Sequence, residues 1–127
     1  MVILANILSA IKNAENAGKS SVIVRPTSKV VKTVLNILKD LGYVQEVELI
    51  KDRRGGEAKV KLTGKINNIG EITPNFYVKV QDLRKFEKRY LPADGFGRLI
   101  LTTPKGIVTN DKARELNSGG KLLAYVY

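Results

Sequence analysis

The apolar residues Val30, Val34, Ile37, Leu38 and Leu41, followed by Gly42, constrain this chain more than any other feature. Three-and-four spacing puts them on one helix face, and a glycine in the next position favours the left-handed conformation that closes a helix. Thr27 or Ser28 can cap the start. A similar stripe, Leu4, Ile7, Leu8 and Ile11, precedes it over 4–17 and stops at Gly18. Between the two lies a short β-branched run, Ser20 to Arg25, which Pro26 ends because it lacks an amide hydrogen. After Gly42 the period changes from helical to alternating. Val47 and Leu49 mark one strand over 44–51, Val60 and Leu62 a second over 58–63, and Asp52 to Gly56 can turn between them. The pattern predicts helix, strand, helix and a hairpin with Arg53 and Arg54 at its tip.

Past Gly64 the periodicity lapses through Lys65 to Gly70, and Pro74 follows, which suggests a boundary. The predicted fold is α+β in two small modules: an N-terminal α/β module over 1–64 and a C-terminal, mostly β module with short helices over 65–127. Phe76, Val78 and Val80 suit one face of a strand. Leu83, Phe86 and Tyr90 suit a short helix that Pro92 halts. Leu99 to Leu101 read as a strand, a capped turn of helix follows Asn110, and Leu122 to Tyr127 close the module.

Charge narrows the function. The 127 residues hold 22 Lys and Arg against 12 Asp and Glu, a net charge of +10. Residues 1–64 and 65–127 each hold eleven basic and six acidic groups, so each half carries +5 and the charge belongs to the folded body. A polyanionic partner is expected. Cysteine and histidine are absent, which removes thiolate nucleophiles, imidazole bases, disulfides and most zinc or haem sites. No cofactor is expected, and no apolar run approaches the ~20 residues of a membrane span. The composition suggests a soluble protein of a reducing compartment.

Thr102-Thr103-Pro104-Lys105-Gly106 leaves a strand and puts two hydroxyls and an ammonium beside a glycine. Hydroxyls can meet base edges, 2′-hydroxyls and phosphates, and lysine supplies a point charge; an ordinary turn would use the same residues. Arg84 to Tyr90 mixes four cations with two aromatics, as irregular or single-stranded RNA favours, and Lys88, Arg89 and Tyr90 are its candidates. A solvated basic helix with core aromatics is the plainer alternative. Ser28, Lys29 and Lys32 stand where the second helix begins and can hold a phosphate, or Ser28 can simply cap. Arg54 at the hairpin tip is a further candidate phosphate contact. Gly95-Phe96-Gly97 and Gly119-Gly120 both precede strands, the wrong order for a dinucleotide loop.

Taken in order, Leu4-Ala5-Asn6, Pro26-Thr27-Ser28-Lys29, Gly42-Tyr43, Gly64-Lys65-Ile66-Asn67, Phe86 to Pro92, Thr102 to Gly106 and Gly119 to Tyr127 give a specific signature. On these residues the whole chain resembles the universal small-subunit ribosomal protein eight family in its archaeal and eukaryotic form. The resemblance implies a two-module protein that joins the small subunit early, touches neighbouring small-subunit proteins and grips a helix in the central domain of the rRNA. It implies main contacts from Thr102, Thr103, Lys105 and Gly106, a secondary one from Ser28 and Lys29, and feedback binding to the protein's own messenger RNA. Two departures from the family pattern stand out. Pro104 replaces a usual serine, removing a hydroxyl and an amide hydrogen from the loop, and Val2-Ile3 replaces a common Asp-Pro helix opening.

Two other classes stay open at this point. A free-standing RNA-binding regulator would use the same charge. An enzyme would have to rely on carboxylates such as Asp94 or Asp111. A membrane-surface role is disfavoured because neither amphipathic helix joins a lysine-rich face to exposed large aromatics.

Overall fold

The computed structural model describes residues 2–25, 29–50, 57–73, 75–93 and 95–127. The capping residues Thr27 and Ser28, the turn 52–56 with Arg53 and Arg54, Pro26, Pro74 and Asp94 lie outside them. The chain is α+β and forms two compact units, Met1–Ile69 and Gly70–Tyr127.

The first unit runs α1 (Val2–Asn16), β1 (Ser21–Val24), α2 (Lys29–Asp40), β2 (Val44–Ile50) and β3 (Glu57–Leu62). Its three strands order β1-β3-β2, with β3 antiparallel to both neighbours. Val24, Ala58, Val60 and Leu62 are buried on one face of this sheet, and Leu4, Ile7, Leu8 and Ile11 of α1 are buried as their spacing predicts. On α2 the buried set is Val31, Val34, Leu35 and Leu38, while Val30 is 42% exposed. Apolar residues flank both candidate stripes of this helix, and it is rotated so that Val31 and Leu35, rather than Val30, complete the inward face. Leu49 pairs with Ala58 on the buried side, yet it is 59% exposed because it lies near the end of an edge strand. Tyr43 N–H donates to the Leu38 carbonyl across Gly42 (3.0 Å), so the helix stops where the glycine predicts.

The second unit holds a five-stranded sheet, ordered β4 (Ile69–Glu71), β8 (Gly120–Val126), β6 (Arg98–Thr103), β7 (Gly106–Thr109), with β5 (Tyr77–Val78) also on β8. A 3-10 turn (Val80–Asp82), α3 (Leu83–Tyr90) and α4 (Asn110–Leu116) connect the strands. The core gathers Ile72, Val78, Leu83, Leu91, Leu99, Leu101, Ala113 and Leu122, with Phe76, Phe86 and Tyr90 against it. Three details differ from expectation. The predicted strand 76–80 shortens to Tyr77–Val78, because Val78 pairs with Gly120, the first residue of β8, and no ladder remains for Val80. Ile69–Glu71 is a strand too short for a period to show. The predicted loop 102–106 is strand almost throughout, since Thr102 and Thr103 pair with Ile107 and Gly106.

Candidate nucleic-acid interface

Pairing of Thr103 with Gly106 leaves only Pro104 and Lys105 to make the turn between β6 and β7. Thr103 is buried, and its Oγ1 donates to the Gly106 carbonyl (2.8 Å) and accepts from the Lys105 N–H (3.1 Å). That hydroxyl shapes the turn. Thr102, half-buried, makes no side-chain hydrogen bond among the described residues, so its hydroxyl is the one left for a ligand. Lys105 Nζ donates to the carbonyl of Leu116, the last residue of α4 (3.2 Å). Helix ends carry unpaired carbonyls and partial negative charge, so this contact holds the lysine on the body of the unit. A Cβ at Gly120 would overlap the Thr102 carbonyl oxygen, and one at Gly119 the Val78 carbonyl oxygen. The glycine pair therefore lets β8 start close against β5 and β6, directly beneath the hairpin.

Helix α3 buries Leu83 and exposes Arg84, Lys85, Lys88 and Arg89. Lys85 and Lys88 form no ion pair among the described residues. The Arg89 guanidinium sits 5.8 Å from the Phe76 ring centroid and 5.7 Å from that of Tyr90, within cation-π range. Tyr90 in turn stacks on Tyr125 (5.7 Å, 22°), which stacks on Tyr127 (6.3 Å, 22°). Tyr90 therefore anchors the basic helix to the end of β8.

A polar cluster that no sequence motif announces ties these parts together. Glu87 accepts from Arg114 Nη1 (2.8 Å) and Nη2 and from Asn110 Nδ2. Buried Asn110 accepts from the Leu99 N–H (3.2 Å), and Arg98 pairs with Asp111 (2.8 Å). Burial works against the charge on Glu87, but hydrogen bonds from Arg114 and Asn110 and the charges of Arg114 and Arg84 outweigh it and hold its carboxyl below the ordinary 4.5. The hydrogen bond to Glu87 in turn raises Arg114 above its ordinary value. The cluster joins α3, α4 and β6; Glu87 is half-buried within it, Asp111 lies at its exposed edge, and Lys85, Lys88 and Arg89 face solvent. A cavity of about 430 Å³ opens beside it, lined in part by Arg84, Glu87, Arg98, Asp111 and Arg114. Both carboxylates there are held by arginine, unlike a general acid and base pair, which needs one proton to come and go.

In the first unit, Lys29 and Lys32 stand exposed on the opening turn of α2, without an ion pair among the described residues. Ser28 and Arg54 lie outside the described residues. The structure thus brings Thr102, Thr103, Lys105 and Gly106 into one hairpin, Lys88, Arg89 and Tyr90 onto one helix of the same unit, and Lys29 and Lys32 onto another helix. Among the described residues no three His, Cys, Asp or Glu groups could hold a metal, and no helix is long and apolar enough to cross a membrane.

The family model of Ribosomal protein S8 matches residues 3–127. The small ribosomal subunit protein uS8 of Thermoplasma acidophilum is 48% identical over 124 residues, spanning 98% of this chain and 96% of its own length. The protein of that name from Caldivirga maquilingensis is 50% identical over 125 residues, again 98% and 96% of the two chains. A match across both units at this identity extends well beyond the hairpin and α3, and the chain belongs to the ribosomal protein S8 family.

Proposed function

We propose that this protein is a structural component of the small ribosomal subunit that binds small-subunit rRNA and catalyses nothing. The observation that carries the reading is the family match across residues 3–127, with relatives named for the small ribosomal subunit. Geometry supports it: on α3 the one acid, Glu87, is held half-buried by Arg114 and Asn110 while Lys85, Lys88 and Arg89 are left outward, which suits a polyanion. The hairpin presents Thr102 and Gly106 at a fixed angle, with Thr103 and Lys105 holding the turn, and Lys105 keeps donors free for a phosphate. Lys88 and Arg89 supply charge along α3, and Tyr90 seats that helix. Lys29 and Lys32, flanked by Ser28, add a phosphate contact from the first unit, and Arg54 another. The target is the central domain of the rRNA, met early in assembly. Neighbouring ribosomal proteins cover other surfaces, and the protein's own messenger RNA is a further target for the same hairpin. The work takes place on cytoplasmic ribosomes.

Cosedimentation tests the reading. The native protein should travel with small subunits in moderate salt, and a nuclease footprint on naked small-subunit rRNA should fall on one compact segment. A protein that stays at the top of the gradient, or protects no segment, is a free-standing regulator or another kind of binder.

A further inference from the structure

The exposed side of the β1-β3-β2 sheet differs from the rest of the surface in its charge. Strand alternation and register give it three rows: Ser21, Lys61 and Glu46; Ile23, Lys59 and Glu48; and Arg25 beside Glu57. Among the described residues, all its charges but Lys59 pair in the plane of the sheet. Arg25 bonds Glu57 (2.9 Å), and Lys61 reaches Glu46 (3.7 Å) and Glu48 (3.6 Å). With Lys59 the face holds three bases and three acids and is neutral. Residues 1–64 contain only six acids, and half of them lie here, so this face contributes nothing to the +5 of that half. Near the middle Ile23 is 58% exposed.

A neutral sheet face with paired charges around an exposed isoleucine repels phosphate as much as it attracts it. It matches instead the usual anatomy of a protein contact, an apolar centre inside a polar rim, with alternating charges setting the register of the partner. We propose that this face docks a second protein of the same particle, one presenting an apolar side chain to Ile23 and opposite charges to the Lys59, Lys61, Glu46 and Glu48 comb. The proposal rests on the ribosomal reading above.

The test is lysine acetylation by a small amine-reactive reagent, read by mass spectrometry on the full chain in three states: free, bound to naked small-subunit rRNA, and within native small subunits. Lys59 and Lys61 should react equally in the first two states and at least about fivefold more slowly in the third, because a packed interface excludes reagent as it excludes water. Amine-to-carboxylate crosslinks should join this face to another protein, and Ile23→Asp should lower occupancy in the particle while leaving rRNA affinity within about twofold. Slowing already present with rRNA alone would assign the face to RNA, and unchanged rates in the particle would leave it uncovered; either result overturns the proposal. So would a sedimenting dimer of the free chain whose Lys59 is slowed as concentration rises. Failure of the ribosomal reading looks different: Lys29 and Lys88 would stay fully reactive with rRNA and the protein would be missing from the particle, and docking would fall with it.

Discussion

The β6–β7 hairpin and helix α3 both carry candidate RNA contacts, and they are built in opposite ways. In the hairpin the polar groups are largely committed: Thr103 bonds twice within the turn and Lys105 is tied to the end of α4. On α3, Lys85 and Lys88 have no ion pair among the described residues and keep their rotamer freedom. A pre-ordered group loses little entropy on binding and tolerates one geometry, whereas a mobile ammonium meets any phosphate within reach. The hairpin therefore suits selection of one RNA, and α3 suits attraction to all of them.

The largest break in this comparison should come from Gly120→Ala. Its methyl group would push on the Thr102 carbonyl and unseat the hairpin, costing about 3 kcal/mol by overpacking in urea unfolding; a change under ~0.5 kcal/mol would show that the close approach is not needed. Gly106 offers a contrast, since a Cβ there meets nothing and only its φ of 120° opposes substitution.

Next comes Glu87→Gln, which weakens the clamp joining α3 to α4 and should cost about 2 kcal/mol, the scale of a hydrogen bond to a charged group. Its pH signature is specific. Because the folded carboxyl titrates below the unfolded value of 4.5, its stabilisation is complete above that pH and disappears as pH falls through the lower folded value. The parent should lose stability across that acid window more steeply than the variant. Parallel acid limbs would remove Glu87 from the account.

Thr103→Val should weaken cognate rRNA binding by about 1 kcal/mol and leave arbitrary RNA untouched, because it loosens geometry and removes no charge. Lys88→Ala should do the reverse, with a small loss on every RNA and a salt slope shallower by about 0.7 to 0.9 log units. If both variants behaved alike, the division of labour between hairpin and helix would be lost.

Much of this arrangement is legible in the chain. Helix spacing marks Leu4 to Ile11 correctly because α1 has one stripe, while α2 carries apolar residues on either side of its face and the choice between Val30 and Val31 belongs to the sheet beneath it. The hydroxyl-rich stretch stands out as a candidate, but its closure into a two-residue turn follows from strand partners at Ile107 and Gly106 that have no strong period of their own. Gly119 and Gly120 show as glycines without showing why; the reasons are carbonyls far upstream, at Val78 for Gly119 and at Thr102, 18 residues before Gly120. The Glu87, Asn110 and Arg114 cluster is invisible for the same cause, since its members are spread over two helices that meet only in the fold.

By the proposed function, a pre-ordered hairpin, and not charge alone, selects one structured RNA. Competition binding tests it most directly: the full chain, in moderate salt, offered its footprinted rRNA segment against an arbitrary RNA duplex of equal length. The account predicts a preference of at least about a hundredfold, which Thr103→Val reduces and Lys88→Ala preserves. Equal affinity for the two RNAs would contradict it.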